Sequence, residues 1–90
     1  MSADTSESAT LHVQVLSPKG IVWEGEAQSV SSVNSQGPFD LLPQHAHFIS
    51  LVEKKPIVVV DVSGKESTLS YDTAVVRLFD DVVTIYADIS

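Results

Sequence analysis

The sequence predicts an all-β domain, a flattened two-sheet antiparallel sandwich of about eight to ten short strands. Three observations predict it. Short runs of β-branched and alternating apolar residues recur along the chain. Turn chemistry separates them about every eight to twelve residues, and no stretch of about twelve residues carries the 3.6-residue period of a helix. With 90 residues, 43 % of them hydrophobic and 19 % charged, the chain has an ordinary globular balance and room for a single core.

Residues 1–10 are mostly Ser, Thr, Ala and acid without apolar rhythm, and read as a flexible N-terminal tail, with the folded domain over residues 11–90. Leu11, Val13 and Val15 then alternate with His12, Gln14 and Leu16, the period of a strand with one face inward, and Ser17-Pro18-Lys19-Gly20 turns the chain. Extended structure resumes at Ile21. Gly25 marks a bulge or bend, and the β-branched stretch to Val33 makes this second strand long and bent. Asn34 to Pro38 is the next turn, and the short run Phe39 to Leu42 stops at Pro43. Phe48 to Val52 follows a loop. After Lys54-Lys55-Pro56, Ile57 to Val62 reads as a core strand, and Ser63-Gly64-Lys65 turns it. Ser67 to Tyr71, Thr73 to Phe79 and Val82 to Asp88 complete the series, with Asp80-Asp81 as a tight turn between the last two.

Composition excludes several function classes. A formal charge of -7, from five basic against twelve acidic residues, removes the basic footprint that nucleic acid or an anionic membrane surface needs. No cysteine is present, so disulfides, thiolate metal sites and thiol chemistry are out. The first ten residues lack the basic start and apolar core of an export signal, and no run approaches the roughly eighteen apolar residues of a membrane span. A soluble protein without direct membrane insertion is expected.

Chemistry-bearing clusters are few. His45-Ala46-His47, with Asp40 before it and Glu53 after it, puts two imidazoles at i and i+2, where a strand would share a face and ligate one metal. A cupin-like metal protein using His45, His47 and Glu53 is therefore a competing reading. The second histidine motif that cupins carry is absent, and the plainer reading has both residues in a loop around Pro43. No Gly-x-Ser-x-Gly, Walker pattern or Gly-x-Gly-x-x-Gly occurs, and Asp80-Asp81 reads as turn chemistry rather than a catalytic pair. No enzyme, no cofactor and no bound metal are expected. Trp23 and Tyr86 read as core or half-buried strand positions. Runs such as Ile57 to Val60 and Val75-Val76 put apolar side chains on both faces of a strand, more than one thin core consumes. That surplus predicts an apolar patch on a sheet face.

The stretch Gly37-Pro38-Phe39-Asp40-Leu41-Leu42-Pro43-Gln44-His45-Ala46-His47 resembles the Gly-acid-Phe-Gly-Ile-Leu-Pro-Gly-His-Ala-Pro segment of the epsilon subunit (mitochondrial delta) of F-type ATP synthases. Ser17-Pro18-Lys19-Gly20, Trp23-Glu24-Gly25-Glu26-Ala27 and Val83-Thr84-Ile85-Tyr86-Ala87-Asp88 are similar to the family's first turn, its Glu-Gly-Glu/Ala segment and its closing Val-Thr-Val-Leu-Ala-Asp. Order and spacing hold from Leu11 to Asp88.

The resemblance implies the family's N-terminal β-sandwich, lacking the C-terminal helical hairpin, so that it gives no support to an inhibitory or ATP-sensing role. It implies a non-catalytic rotor subunit of a proton- or sodium-translocating enzyme, packed on the gamma subunit and touching the membrane rotor ring. As part of that complex it would be peripheral on the cytoplasmic face of the cell membrane. Carried over position by position, the ring-contact loop would comprise Gln36, Gly37, Pro38, Phe39, Asp40, Pro43 and His45. Pro38, Asp40, Gln44 and His47 depart from the family pattern, as does Asp72-Thr73-Ala74 where the family has Ser-Gly-Gly. A free-standing adaptor that kept the sandwich and left the ATP synthase is a third reading.

Overall fold

A computed structural model describes residues 10–44 and 46–88, so the expected tail lies, for residues 1–9, outside the described residues. The described residues form eight strands and no helix: β1 (Leu11–Ser17), β2 (Gly20–Asn34), β3 (Gly37–Leu41), β4 (Phe48–Glu53), β5 (Pro56–Asp61), β6 (Glu66–Ser70), β7 (Thr73–Phe79) and β8 (Val82–Ala87). Hydrogen bonds join them in the order β4-β7-β8-β1-β2-β5-β6, with β3 also paired to β2. All pairs are antiparallel except β1 with β8, which run parallel with Val13 beside Val83 and Val15 beside Ile85.

Strand β2, 15 residues long, turns this one sheet into a sandwich. Its first half, through Ala27, pairs with β1. Beyond Ala27 it pairs with β5 along one edge, and from Val30 with β3 along the edge that β1 has left. The register slips between Ala27 and Ser29, leaving Gln28 as an extra residue. Such a bulge bends a strand and increases its twist. One layer is thus β4, β7, β8, β1 and the first half of β2; the other is the second half of β2 with β3, β5 and β6. Asn34 Nδ2, on β2, donates to Ser50 Oγ on β4 at 2.9 Å and ties the two.

Alternation decides what lies between the layers. Leu11, Val13 and Val15 of β1, Val76 and Leu78 of β7, Val83 and Ile85 of β8, Val30 of β2 and Ile57 of β5 are fully buried in one cluster. Each side chain of this size contributes about 1.5–3 kcal/mol by leaving water. Trp23 is half-buried and packs against the same cluster. Its ring carbons lie 3.1 Å from where a Cβ on Gly25 would stand, so glycine there is what lets the indole fold over β2.

Asp80 and Asp81, at φ 53° and 63°, make the two-residue turn with both central residues left-handed, whose twist suits a hairpin. Gln44 is also left-handed, at φ 67°, and its N–H donates to Asp81 Oδ1 at 2.7 Å. This is the position at which the sequence replaces the glycine of the resembled family. The backbone has kept a conformation suited to glycine while the side chain strains it. Gln44→Gly is expected to stabilise the domain by about 0.5–1 kcal/mol, read from the urea midpoint; a loss of stability would show that the glutamine side chain holds the loop instead.

Candidate functional site

The outward face of the first layer is where this molecule departs from an ordinary solvated surface. Strand register places Leu51 of β4 beside Val75 of β7, Val75 beside Tyr86 of β8, Tyr86 beside Leu16 of β1, and Leu16 beside Ile21 of β2. An apolar row therefore crosses five strands. Ile21, Leu51 and Tyr86 are 62 %, 49 % and 37 % exposed, and Leu16 and Val75 are half-buried. The next row outward is Ile49, Arg77, Thr84, Gln14 and Glu24; the one after it runs Phe79, Val82, His12 and Glu26. Six of the nine large hydrophobic side chains left exposed among the described residues stand on this one face. Contiguous exposed apolar side chains mark interaction surfaces far more often than scattered ones do.

The face has a graded chemistry, apolar at the end where β1 turns into β2 and ionic at the end where β1 begins. At the ionic end His12 Nδ1 lies 2.7 Å from Glu26 Oε2 and its Nε2 lies 2.6 Å from Glu24 Oε2. Thr10 Oγ1 donates to Glu26 Oε1 at 2.6 Å, and Gln14 Nε2 to Glu24 Oε2 at 3.1 Å. Hydrogen bonds to Glu26 first and to Glu24 second raise the His12 pKa above its ordinary 6.5. The Glu24 carboxyl is lowered by His12 and then Gln14, and that of Glu26 by Thr10 and then His12. Toward β4, Phe79 is flanked by the Arg77 guanidinium, 5.2 Å from its ring centre, and by the His47 ring at 4.3 Å. That guanidinium and ring hold the aromatic edge of the face in place.

The opposite layer presents a different surface, with Ser29, Ser31, Asp40, Glu66 and Thr68 among half-buried valines. Ser31 Oγ donates to Asp40 Oδ1 at 2.6 Å. Apolar exposure is concentrated on the first layer.

The residues expected to form a ring-contact loop are distributed over two kinds of structure. Gln36 and Gly37 sit at the β2–β3 turn, where the Gln36 N–H donates to Asn34 Oδ1 at 2.8 Å. Pro38, Phe39 and Asp40 belong to β3. Pro38 and Asp40 are exposed, while Phe39 is half-buried, packs against the core and stacks on Phe48 at 4.9 Å. Pro43 lies in the turn after β3, and His45 lies outside the described residues. The metal reading gains no geometry. His47 precedes β4 and Glu53 ends it, about 20 Å apart along an extended strand, and Asp40 is engaged by Ser31. Among the described residues no group of three or more His, Cys, Asp or Glu side chains is arranged to hold a metal ion.

Tyr86, read from sequence as core or half-buried, stands on the outer apolar row. Sequence reasoning found the surplus at Val75-Val76 but not the row it belongs to, because the row exists only in the register of five strands. Leu16 and Ile21 carried a signal, each being apolar at a position its strand's alternation turns outward.

Comparison with known proteins matches the chain to the β-sandwich domain of the ATP synthase delta/epsilon chain over residues 10–89. The ATP synthase epsilon chain of Campylobacter fetus subsp. fetus (strain 82-40) is 27 % identical over 79 residues, 88 % of this chain and 61 % of that protein. That of Campylobacter concisus (strain 13826) is 30 % identical over 78 residues, 87 % of this chain and 60 % of the relative. A chain in the Euglena gracilis mitochondrial ATP synthase OSCP/F1/c-ring structure superposes with a TM-score of 0.81 at 14 % identity, covering 88 % of this chain and 51 % of that one. One in the central stalk/c-ring structure of Tetrahymena thermophila mitochondrial ATP synthase gives 0.71 at 8 %, with 86 % and 62 % covered. The two structural likenesses show the shared fold. The chain spans 61 % and 60 % of the length of these two curated relatives.

Proposed function

The chain belongs to the ATP synthase delta/epsilon β-sandwich family, and from that premise we propose that it is a non-catalytic central-stalk subunit of a proton- or sodium-translocating F-type ATP synthase. On this reading it packs on the gamma subunit and contacts the membrane rotor ring, coupling rotation to ATP synthesis by contact alone. It sits at the cytoplasmic face of the cell membrane as a peripheral part of the complex, and residues 11–90 supply the stalk domain.

The observation that carries the reading is the apolar row Leu51, Val75, Tyr86, Leu16 and Ile21. A surface of this kind stays wet in a lone domain and gains free energy when a partner covers it. We assign gamma to this face. The ring contact falls to the β2–β3 turn, with exposed Gln36, Pro38 and Asp40 around half-buried Gly37, and Pro43 and His45 remain part of the proposed contact set. Phe39 supports them from inside through Phe48.

Co-purification of the tagged chain from its native membranes tests the assignment. Recovery of gamma together with the catalytic subunits is the expected result. Recovery of other proteins without any ATP synthase subunit would overturn it.

A further inference from the structure

We propose that His12, Glu24 and Glu26 form a proton-operated clasp between β1 and β2 at the ionic end of the docking face, closed while the imidazole carries both ring protons and opened when it loses one. The docking role of the clasp rests on the stalk reading; the clasp itself rests on geometry.

Both ring nitrogens of His12 lie within 2.7 Å of a carboxylate oxygen, each from a different glutamate. An ionised carboxylate only accepts hydrogen bonds, and a neutral imidazole has one N–H to give. Two such contacts are satisfied together only by the imidazolium. The register of β1 on β2 sets this up: His12 pairs with Glu26 and Gln14 with Glu24, and Gly25 between the glutamates faces the other way. The two carboxylates thus stand on one face, two residues apart, with the ring between them.

Among the described residues no second cation competes for the ring's place. From β2 the charged groups facing His12 are Glu24 and Glu26. From β8 the neighbours on this face are Val82 and Thr84, which do not titrate in this range. In the β7–β8 turn, Asp81 takes the His12 backbone N–H on its carbonyl at 2.9 Å and commits its carboxylate to Gln44; Asp80 is exposed beside it. Arg77 stands two strands away on β7 and lies over Phe79. Losing the His12 proton therefore moves the local charge from one net negative to two and leaves one carboxylate with a single neutral donor, Thr10 for Glu26 or Gln14 for Glu24.

The pH window follows from the directions of the shifts. The His12 pKa is raised above 6.5, so its contribution to stability is complete below 6.5 and is lost as pH rises through the raised value. Glu24 and Glu26 are lowered below 4.5, so theirs is present above 4.5 and is lost as pH falls through the lowered values. The clasp is fully closed between these limits and opens on the alkaline side. A partner that covers the apolar row also approaches this end of the face, where two carboxylates with no cation between them oppose desolvation more than the closed clasp does. Closing the clasp favours docking, so affinity falls as pH rises.

The test has two arms. In the first, ring-nitrogen NMR follows His12 from pH 5 to 9 in the chain and in E24Q/E26Q. The expected result is a midpoint above 6.5 in the chain that returns to about 6.5 in the double variant. A midpoint at or below 6.5 in the chain, or one that both glutamines leave unmoved, overturns the clasp. The second arm measures binding of recombinant gamma at pH 6 and pH 8. Affinity is expected to fall with pH by at most about tenfold per unit, the limit for one linked proton, and H12Q is expected to flatten the dependence. Equal affinity at both values overturns control of docking by the clasp. No binding at either pH overturns the stalk reading, and the NMR midpoint then decides the clasp by itself.

Discussion

Replacing Ile85 by alanine is expected to cost about 2–5 kcal/mol, a large share of the roughly 5–13 kcal/mol that holds together a domain of this size. Ile85 is fully buried at the centre of β8. It lies beside Val15 on β1 and Val76 on β7, both fully buried themselves. Strands on both sides are pinned by ladders, so the site collapses poorly around a deletion and the cavity persists. Urea unfolding followed by far-ultraviolet circular dichroism reads the loss, and Ile85→Val should cost about 0.5–1.5 kcal/mol in the same assay. A cost below about 1 kcal/mol for the alanine variant would mean that β8 is not packed as described.

Its neighbour in sequence should behave in the opposite way. Tyr86 points away from the core and occupies the middle of the apolar row, between Val75 and Leu16. Tyr86→Glu is expected to change stability by less than about 1 kcal/mol, because nothing in the core is removed. The same change puts a charge where the proposed partner must exclude water, and affinity for gamma should fall by about a hundredfold or more. Titration calorimetry with recombinant gamma measures this directly, with Leu51→Glu at the edge of the row as a second probe. Unchanged affinity in both variants would remove this face from the interface. Because Ile85 and Tyr86 are adjacent yet face apart, the pair separates folding from docking.

The contrast also shows what local pattern reveals and what it conceals. The alternation of Leu11, Val13 and Val15, the length of β2, and the Asp80-Asp81 turn were legible, because each depends on residues a few positions apart. The bulge expected at Gly25 was misplaced: Gly25 pairs in regular register with Val13, and the extra residues are Val22 and Gln28. The parallel seam of β1 with β8 was not, since no local period records which strands become neighbours. The outer row escaped for the same reason. Leu51, Val75, Tyr86, Leu16 and Ile21 come from five strands and become one surface only through register. His12 meets Glu24 and Glu26 across a hairpin in which Val22 is an extra residue between paired Trp23 and Ile21, and an irregularity of that kind hides from periodicity. At the β2–β3 turn the sequence motif was legible as a motif. The division of labour within it, with Phe39 turned to Phe48 and Asp40 turned to Ser31, required coordinates.

The seam between β1 and β8 bears on how the domain comes into being. Leu11 is the first residue of β1 and Val82 the first of β8, so the middle of the sheet joins two segments 70 residues apart in sequence, from His12 to Val82. Closing so long a loop costs entropy before the pairing returns anything, which places the domain among the slower folders for its size. During synthesis the hairpin of β1 with β2 can form early, but its other edge waits for β8. A nascent chain that has reached only β7 exposes that edge to other chains, and β8 closes it only once it has followed.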